Sequence, residues 1–427
     1  MSSIPQTGAP RPNWDELRAI VTEGEVRTDQ PEDAIDGLAP LKVIEPANEQ
    51  ELARALAWAN ANGIAVSPRG GGTKLGWGTP PAALDAIIST KRLGRVLEHA
   101  WADMTATVEA GCTISELQTT LAQHGQRLAI DPLFPDRATI GGLIATNDSG
   151  SLRLRYGGIR DLIIGATVAL PDGTLARSGG KVVKNVAGYD LQKLMTGALG
   201  TLGIITQATF RLHPLPRESQ TLSVESPDTG AANRLILAIL DSTLVPTGLQ
   251  LRVESASRPA IDIRLDGTGS GIEAQRNLLG RISAELTFSE SGEQVWQARE
   301  KLFAANSQSL VCKFSVLPSQ LAPTLKAIEK LCSAPQLSWN VVAQGTGLGT
   351  VRIDAPQTPQ LQFVLNGVRS AISELGGTVV ILSCPAEIKK QISVWGPSRD
   401  AQRLILRVKQ QFDPNGTLNR GRFVGGI

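Results

Sequence analysis

The chain has 427 residues, 41% of them hydrophobic and 19% charged, and 42 Lys+Arg nearly balance 40 Asp+Glu for a formal net charge of +2. That length exceeds what a single core usually organises, so two domains, or one interrupted by the other, are expected. The composition excludes a disordered chain, and the charge balance excludes the electrostatic footprint of a nucleic-acid binder. The longest apolar run, residues 162–170, is broken by Gly165 and Thr167 and falls far short of the roughly 20 residues that a membrane helix requires.

Cys112, Cys312, Cys332 and Cys384 are widely spaced and form no C-x-x-C pair. An iron–sulfur cluster, a zinc knuckle or a disulfide scaffold is therefore not expected within this chain, no metal ligands are assigned, and reduced cytoplasmic thiols are the default. Residues 1–13 are polar, with no apolar region of the kind a secretory signal carries.

Residues 1–36 read as a leader with one amphipathic helix around 14–21. A short strand at 42–46 follows, then a helix that Asn48 caps and that carries Leu52, Ala55, Leu56 and Ala59 on one face. Asn62-Gly63 stops that helix, and residues 64–66 begin the next strand. This β-α-β unit opens onto Pro68-Arg69-Gly70-Gly71-Gly72-Thr73-Lys74-Leu75-Gly76-Trp77-Gly78, five glycines and two cations in eleven residues. Glycines let a backbone approach a ligand and turn successive N–H groups towards one point. Read alone, such a run is either a tight surface turn or an anion cradle.

Strands are predicted at 84–89 and 105–110, and a helix over 115–124 with Leu117 and Leu121 on one face and Gly125 as its stop. Pro132 and Pro135 make 131–135 an extended segment that leads into a second cluster of Gly and small polar residues, 139–150. A strand at 162–170 and one at 175–177 flank the turn Pro171-Asp172-Gly173-Thr174. A helix over 190–196 precedes a third cluster, 197–206, which runs into a β-rich stretch ending at Leu212. Beyond Pro216 the glycine-rich loops thin out. Candidate strands such as 249–253 and 377–383 alternate with candidate helices such as 229–240 and 361–375, which reads as a second α+β domain. A last helix, 399–411, ends at Phe412-Asp413-Pro414-Asn415-Gly416.

No G-x-x-x-x-G-K-[ST] occurs, and Lys74 precedes Leu75 rather than a Mg-binding hydroxyl, so a phosphate-loop nucleoside triphosphatase is excluded. The opening loop does not follow G-x-G-x-x-G, and Pro80 and Pro81 stand where a Rossmann helix would begin. Three separate loops offering backbone donors suit a long anionic ligand, and a dinucleotide lying extended across the domain fits that description.

The loop at 68–78, the I-G-G-L-I-A-T-N segment at 140–147 and the G-x-x-G-T-L-G-I-I-T segment at 197–206 resemble the FAD-binding domain of the vanillyl-alcohol oxidase and para-cresol methylhydroxylase (PCMH) superfamily, over residues 37–217. Within it, K-V-V-K-N-V-A-G-Y-D-L at 181–191 looks like the FAD-binding subunit of bacterial glycolate oxidase. The resemblance implies an α+β fold: a leader at 1–36, a two-part FAD-binding domain at 37–217, a cap-like α+β domain at 218–410, and a C-terminal segment at 411–427 that returns to the FAD domain.

It further implies that the Pro68, Arg69, Gly70, Gly71, Gly72, Thr73 and Lys74 stretch holds the FAD pyrophosphate, chiefly through the glycine amides. Pro132, Thr139, Ile140, Gly141, Gly142, Asn147, Gly150, Gly203 and Ile205 are then expected along the adenine, ribose and flavin-side walls. Arg69 and Lys74 supply charge or are solvated cations. Several relatives link a His in or after the glycine loop to the flavin. Here Thr73 and Lys74 stand there, so noncovalent FAD is expected. His99, His124 and His213 read as surface or helix-end residues, and Tyr156 and Tyr189 as buried structural hydroxyls.

Catalytic subunits of related 2-hydroxy-acid dehydrogenases carry C-terminal histidines, whereas this chain has none after His213. Relatives tend to have an acid where Leu199 stands and a proline where Arg420 stands, and Arg422 is a candidate for positive charge near the flavin. No catalytic residue is assigned. The expected role is a FAD-binding subunit of a glycolate oxidase or dehydrogenase complex, with a catalytic FAD-containing homologous subunit and an iron–sulfur subunit as partners. Its expected place is the cytoplasm, with any inner-membrane contact made through those partners. The alternatives are an assembly scaffold with structural or no FAD, and a self-sufficient 2-hydroxy-acid dehydrogenase.

Overall fold

In a computed structural model of the chain, which describes residues 13–180, 189–283, 285–304, 309–397 and 401–427, the β-α-β unit is built as its sequence dictates. Asn48 accepts the amide of Glu51 and starts the helix Glu49–Ala61, whose Leu52, Ala55, Leu56 and Ala59 are fully buried. The strands Lys42–Glu45, Ala86–Ser89 and Val66–Arg69 lie parallel in that order, and Glu25–Thr28 adds an antiparallel edge. The glycine loop leaves the open end of the last parallel strand.

A second, antiparallel sheet has the order Val96–Ala100, Thr105–Glu109, Ile204–Arg211, Ile163–Ala169 and Leu175–Gly179. Ala169 and Ile204 pack into the same core as Leu52, Leu56 and Ile88, so the two sheets close on the helix Glu49–Ala61. Sequence reading misses the edge strand Val96–Ala100. Its residues alternate poorly and none is buried, which removes the period-two signal. Of the 181–191 motif behind the glycolate oxidase likeness, residues 181–188 lie outside the described residues.

From Glu218 onward, eight antiparallel strands form one sheet, with the order Ser289–Ser291, Glu218–Glu225, Ala260–Gly267, Gly248–Glu254, Ser338–Gln344, Leu348–Asp354, Ser309–Ser315 and Thr378–Ser383. Alternation on Ser309–Ser315 assigns its faces. Leu310, Cys312 and Phe314 enter a core shared with the helices Thr229–Leu240, Leu321–Leu331 and Thr358–Glu374. Val311 points the other way and packs with Trp77 and Leu133 of the first domain. The sheet thus roofs the far end of the glycine loop.

The helix Gln402–Phe412 is followed by a segment that returns to the first domain. Val66 donates its amide to the Thr417 carbonyl at 2.8 Å, and Asn419 donates back to Val66 at 2.8 Å. Buried Lys409 secures the turn by bonding the carbonyls of Thr201 at 2.8 Å and Leu418 at 2.9 Å, as well as the Asp413 carboxylate. Among the described residues, no helix is long and apolar enough to cross a membrane.

Candidate dinucleotide site

The loop at 70–78 owes its path to contact with the second cluster. A Cβ on Gly70 would lie 2.0 Å from Thr139 Oγ1, and one on Gly71 would lie 1.7 Å from the Arg137 carbonyl oxygen. Only glycine lets the two segments come this close. Gly72 then turns through φ +72°, a region most side chains avoid. Gly71 donates to Thr139 Oγ1 at 3.4 Å, while the amides of Gly72, Thr73 and Lys74 donate to no described residue. Three consecutive unspent donors at a glycine turn are the elements of an anion nest.

The two loop cations do not supply that anion site with free charge. Arg69 is ion-paired to Asp33, a fully buried carboxylate that also accepts Arg27 Nη1 at 2.7 Å, Arg27 Nη2 at 3.0 Å and the Gln30 amide at 2.7 Å. The Arg27 hydrogen bond first, and Arg69 after it, hold the Asp33 carboxyl well below the usual carboxylate range despite its burial. Lys74 is buried, with its ammonium 3.5 Å from Asp148 and donating to the Leu133 carbonyl at 3.2 Å. Burial pushes the Lys74 pKa down while Asp148 opposes the shift. Neither cation is solvated: both are spent on carboxylates.

A depressed carboxyl pKa gives a signed expectation. Asp33 contributes stability that is fully present above its unfolded value, about 3.9, and is lost as the pH falls further towards the folded value. Asp33→Asn is expected to lose about 1.5–3 kcal/mol, the worth of hydrogen bonds to a charged group. It should also flatten the acid limb of a urea-midpoint against pH plot. An unchanged acid limb would contradict this.

All three glycine clusters meet around the loop. One chamber, about 60 Å³, is lined by Pro68, Arg69, Gly70, Gly141, Gly142, Met195, Leu199, Gly203 and Ile205, among others. A second, about 80 Å³, is lined by the loop from Pro68 through Gly71, Gly72, Thr73 and Lys74 to Leu75, with Thr139, Gly142, Leu199, Asn419 and Arg422. Pro68, Gly70, Gly142, Ala145 and Leu199 belong to both walls. The loop also borders an outer cleft of about 810 Å³ on the side of Asp33, Gly111 and Thr113.

Four expected site residues stand elsewhere, and the reason is local. The second cluster is a helix, Ile140–Thr146, rather than a loop. Its Gly142 and Ala145 face the chambers, while Ile140, Leu143 and Ile144 are fully buried in the core. Ile140 donates its amide to Cys112 at 3.0 Å and so offers a ligand nothing. Asn147 is the left-handed C-cap (φ +50°), and its Oδ1 is buried without a partner. Pro132 and Gly150 line a different cavity, about 850 Å³, between the domains, together with Arg264, Trp296, Arg299 and Gln344. Gly150 donates to Asp131 Oδ1 at 3.1 Å there.

Sequence reading missed the returning Asn419 as a chamber residue. Asn419 bonds Ser67 Oγ at 2.7 Å and the Leu199 carbonyl at 2.5 Å. Leu199 itself is held at φ +51°, an unusual conformation for leucine. Arg420 braces the carbonyls of Gly416 and Gly63 instead and lines neither chamber.

The histidines lie outside both chambers: His99 bonds Gln126 at 2.9 Å, His124 stacks on Trp101, and His213 packs edge-on against Tyr156. Tyr156 accepts from Arg127 at 2.9 Å, in keeping with a structural hydroxyl. Tyr189, expected to be buried, is 90% exposed. Burial pushes the Cys112 thiol to about 11 and the Cys312 thiol to about 12, far from the thiolate a nucleophile or metal ligand needs.

With the glycine loop and its chambers in place, residues 40–179 match the family model described as an FAD binding domain. The chain thus carries an FAD-binding domain over residues 40–179. It is 26% identical to Bacillus subtilis glycolate oxidase subunit GlcD over 416 residues, covering 90% of this chain and 88% of that one. It is 34% identical to a D-lactate dehydrogenase of Archaeoglobus fulgidus over 214 residues, 50% of this chain and 48% of the relative. Its fold is similar to that of alkyldihydroxyacetonephosphate synthase, with a TM-score of 0.71 at 18% identity over 90% of this chain and 77% of that one. The cofactor of that domain is FAD, and the residues present fit it. Unspent amides at Gly72, Thr73 and Lys74 offer a phosphate site, and apolar Met195, Ala198, Leu202 and Ile205 wall the adjoining chamber.

Proposed function

We propose that the chain is a noncovalent FAD-binding subunit of an enzyme complex that oxidises 2-hydroxy acids such as glycolate or D-lactate. The carrying observation is the convergence of the three glycine clusters on one groove beside three consecutive unspent amides. The named activities of its relatives, a glycolate oxidase subunit and D-lactate dehydrogenases, support the substrate class. When bound, FAD takes two electrons from a substrate and can release them singly to a one-electron carrier.

The protein's own residues hold and shape rather than react. The amides at 72–74 take the pyrophosphate, and Gly142, Ala145, Leu199 and Gly203 give the ligand backbone-close walls. Thr73 and Lys74 leave the loop without a nucleophilic imidazole, which supports a noncovalent cofactor. Proton abstraction at a hydroxy-acid carbon usually calls on a histidine. All three histidines belong to the first domain and line neither chamber, so the base is assigned to a catalytic homologous partner and the electron exit to an iron–sulfur partner.

Tagged chain purified from its own cells, with flavin, iron and glycolate or D-lactate turnover measured together, tests this reading. It should bring down a second flavoprotein and iron, and turnover with a dye acceptor should disappear when the chain is isolated. Full turnover by the isolated chain would overturn the subunit role.

A further inference from the structure

Three cations line the two chambers, Arg69, Lys74 and Arg422, and the first two are ion-paired, Arg69 with Asp33 and Lys74 with Asp148. Arg422 differs from them. It is 3% exposed, has no carboxylate within ion-pair distance among the described residues, and donates from Nη2 only to the carbonyls of Leu75 and Trp77, the latter at 2.6 Å. Its Nε is buried without a partner. Burial pushes the guanidinium down to about 10, with Asp36 the only opposing charge. Asp36 is itself held by Lys389 at 2.8 and 3.0 Å. A buried cation left unpaired is costly, so the missing negative charge must come from whatever fills the chamber that Arg422 shares with Gly72, Thr73 and Lys74.

We infer that Arg422, carried in by the C-terminal segment, is the counter-charge of the bound dinucleotide's pyrophosphate, since the loop's own Arg69 and Lys74 are already engaged by carboxylates. The glycine amides fix the position of the anion and Arg422 neutralises it. The inference rests on the groove being the dinucleotide site.

The test titrates the flavin-free protein with FAD, with ADP, which keeps the pyrophosphate but lacks the flavin, and with riboflavin, which lacks phosphate. Arg422→Gln should bind FAD and ADP at least tenfold more weakly and riboflavin unchanged. Arg422→Lys, which keeps the charge, should stay within about threefold of the parent. The flavin-free Arg422→Gln protein should melt no lower than the parent, since it has lost an unpaired buried charge. Unchanged FAD affinity with a lowered melting point would make Arg422 a mere brace and overturn the inference. Weakened riboflavin with unchanged ADP would overturn it by placing the charge at the flavin ring. If Arg422→Gln does not fold, a tenfold loss in folded Arg422→Lys still overturns it. A parent protein that binds neither FAD nor ADP would instead sink the reading of the groove itself.

Discussion

Gly71→Ala is expected to strip the protein of its flavin, weakening FAD binding tenfold or more. The added methyl would sit 1.7 Å from the Arg137 oxygen and 2.8 Å from its carbonyl carbon. Both are backbone atoms, so no flexible side chain can yield. The loop must lift from the 137–139 segment, and overpacking of this kind costs about 1–3 kcal/mol, where 1.4 kcal/mol is already tenfold in affinity. The lifted loop carries with it the amides at 72–74. Gly76→Ala is the matched control, because the nearest atom to its Cβ is the flexible Lys389 ammonium at 4.0 Å. Flavin fluorescence titration of both variants should separate them, and equal affinity in the two would contradict the account of the loop.

Asp148→Ala carries the largest expected effect on stability. Asp148 accepts Arg299 Nη1 at 2.7 Å from the second domain and the Leu133 amide at 2.8 Å, and it faces Lys74 at 3.5 Å from the loop. Removing one partner of a buried ion pair costs about 3–5 kcal/mol because the remaining charges stay buried. Here two cations from two domains are left behind, so the loop and the roofing sheet should loosen together. Burial by itself would raise the Asp148 pKa, but Arg299, Lys74 and the Leu133 amide outweigh it and hold the carboxyl below its ordinary value. Its contribution is therefore present above about pH 3.9 and is lost as the pH falls below that, an acid sensitivity the variant should lack. Urea unfolding against pH reads both effects. A variant within 1 kcal/mol of the parent would show that the triad holds nothing together.

Much of this was legible because it is local. Asn48 followed by the Leu52, Ala55, Leu56, Ala59 stripe announces its own helix, and the three glycine clusters point to one shared site, around which the fold brings them together. The pair Gly141-Gly142 concealed a helix, since its propensity argues for a loop. Yet Ile140, Leu143 and Ile144 carry helical spacing, and Gly141 is small because a Cβ would come 2.9 Å from that of Ala110. That misreading gave Ile140 a ligand role when it faces the core. What sequence could not supply was the pairing of charges across the chain. Arg69 meets Asp33 from 36 residues away, and Arg422 reaches the Leu75 carbonyl from 347 residues away. No spacing rule connects such positions; the fold does.

We propose that the loop at 70–78 seats a noncovalent FAD. The most direct measurement is to incubate the purified, flavin-free chain with excess FAD, remove free cofactor by gel filtration, and record the absorption spectrum before and after acid precipitation. The account predicts about one FAD per chain, released wholly into the supernatant by acid. No flavin absorption in the protein peak, or flavin that stays with the precipitate, would contradict it.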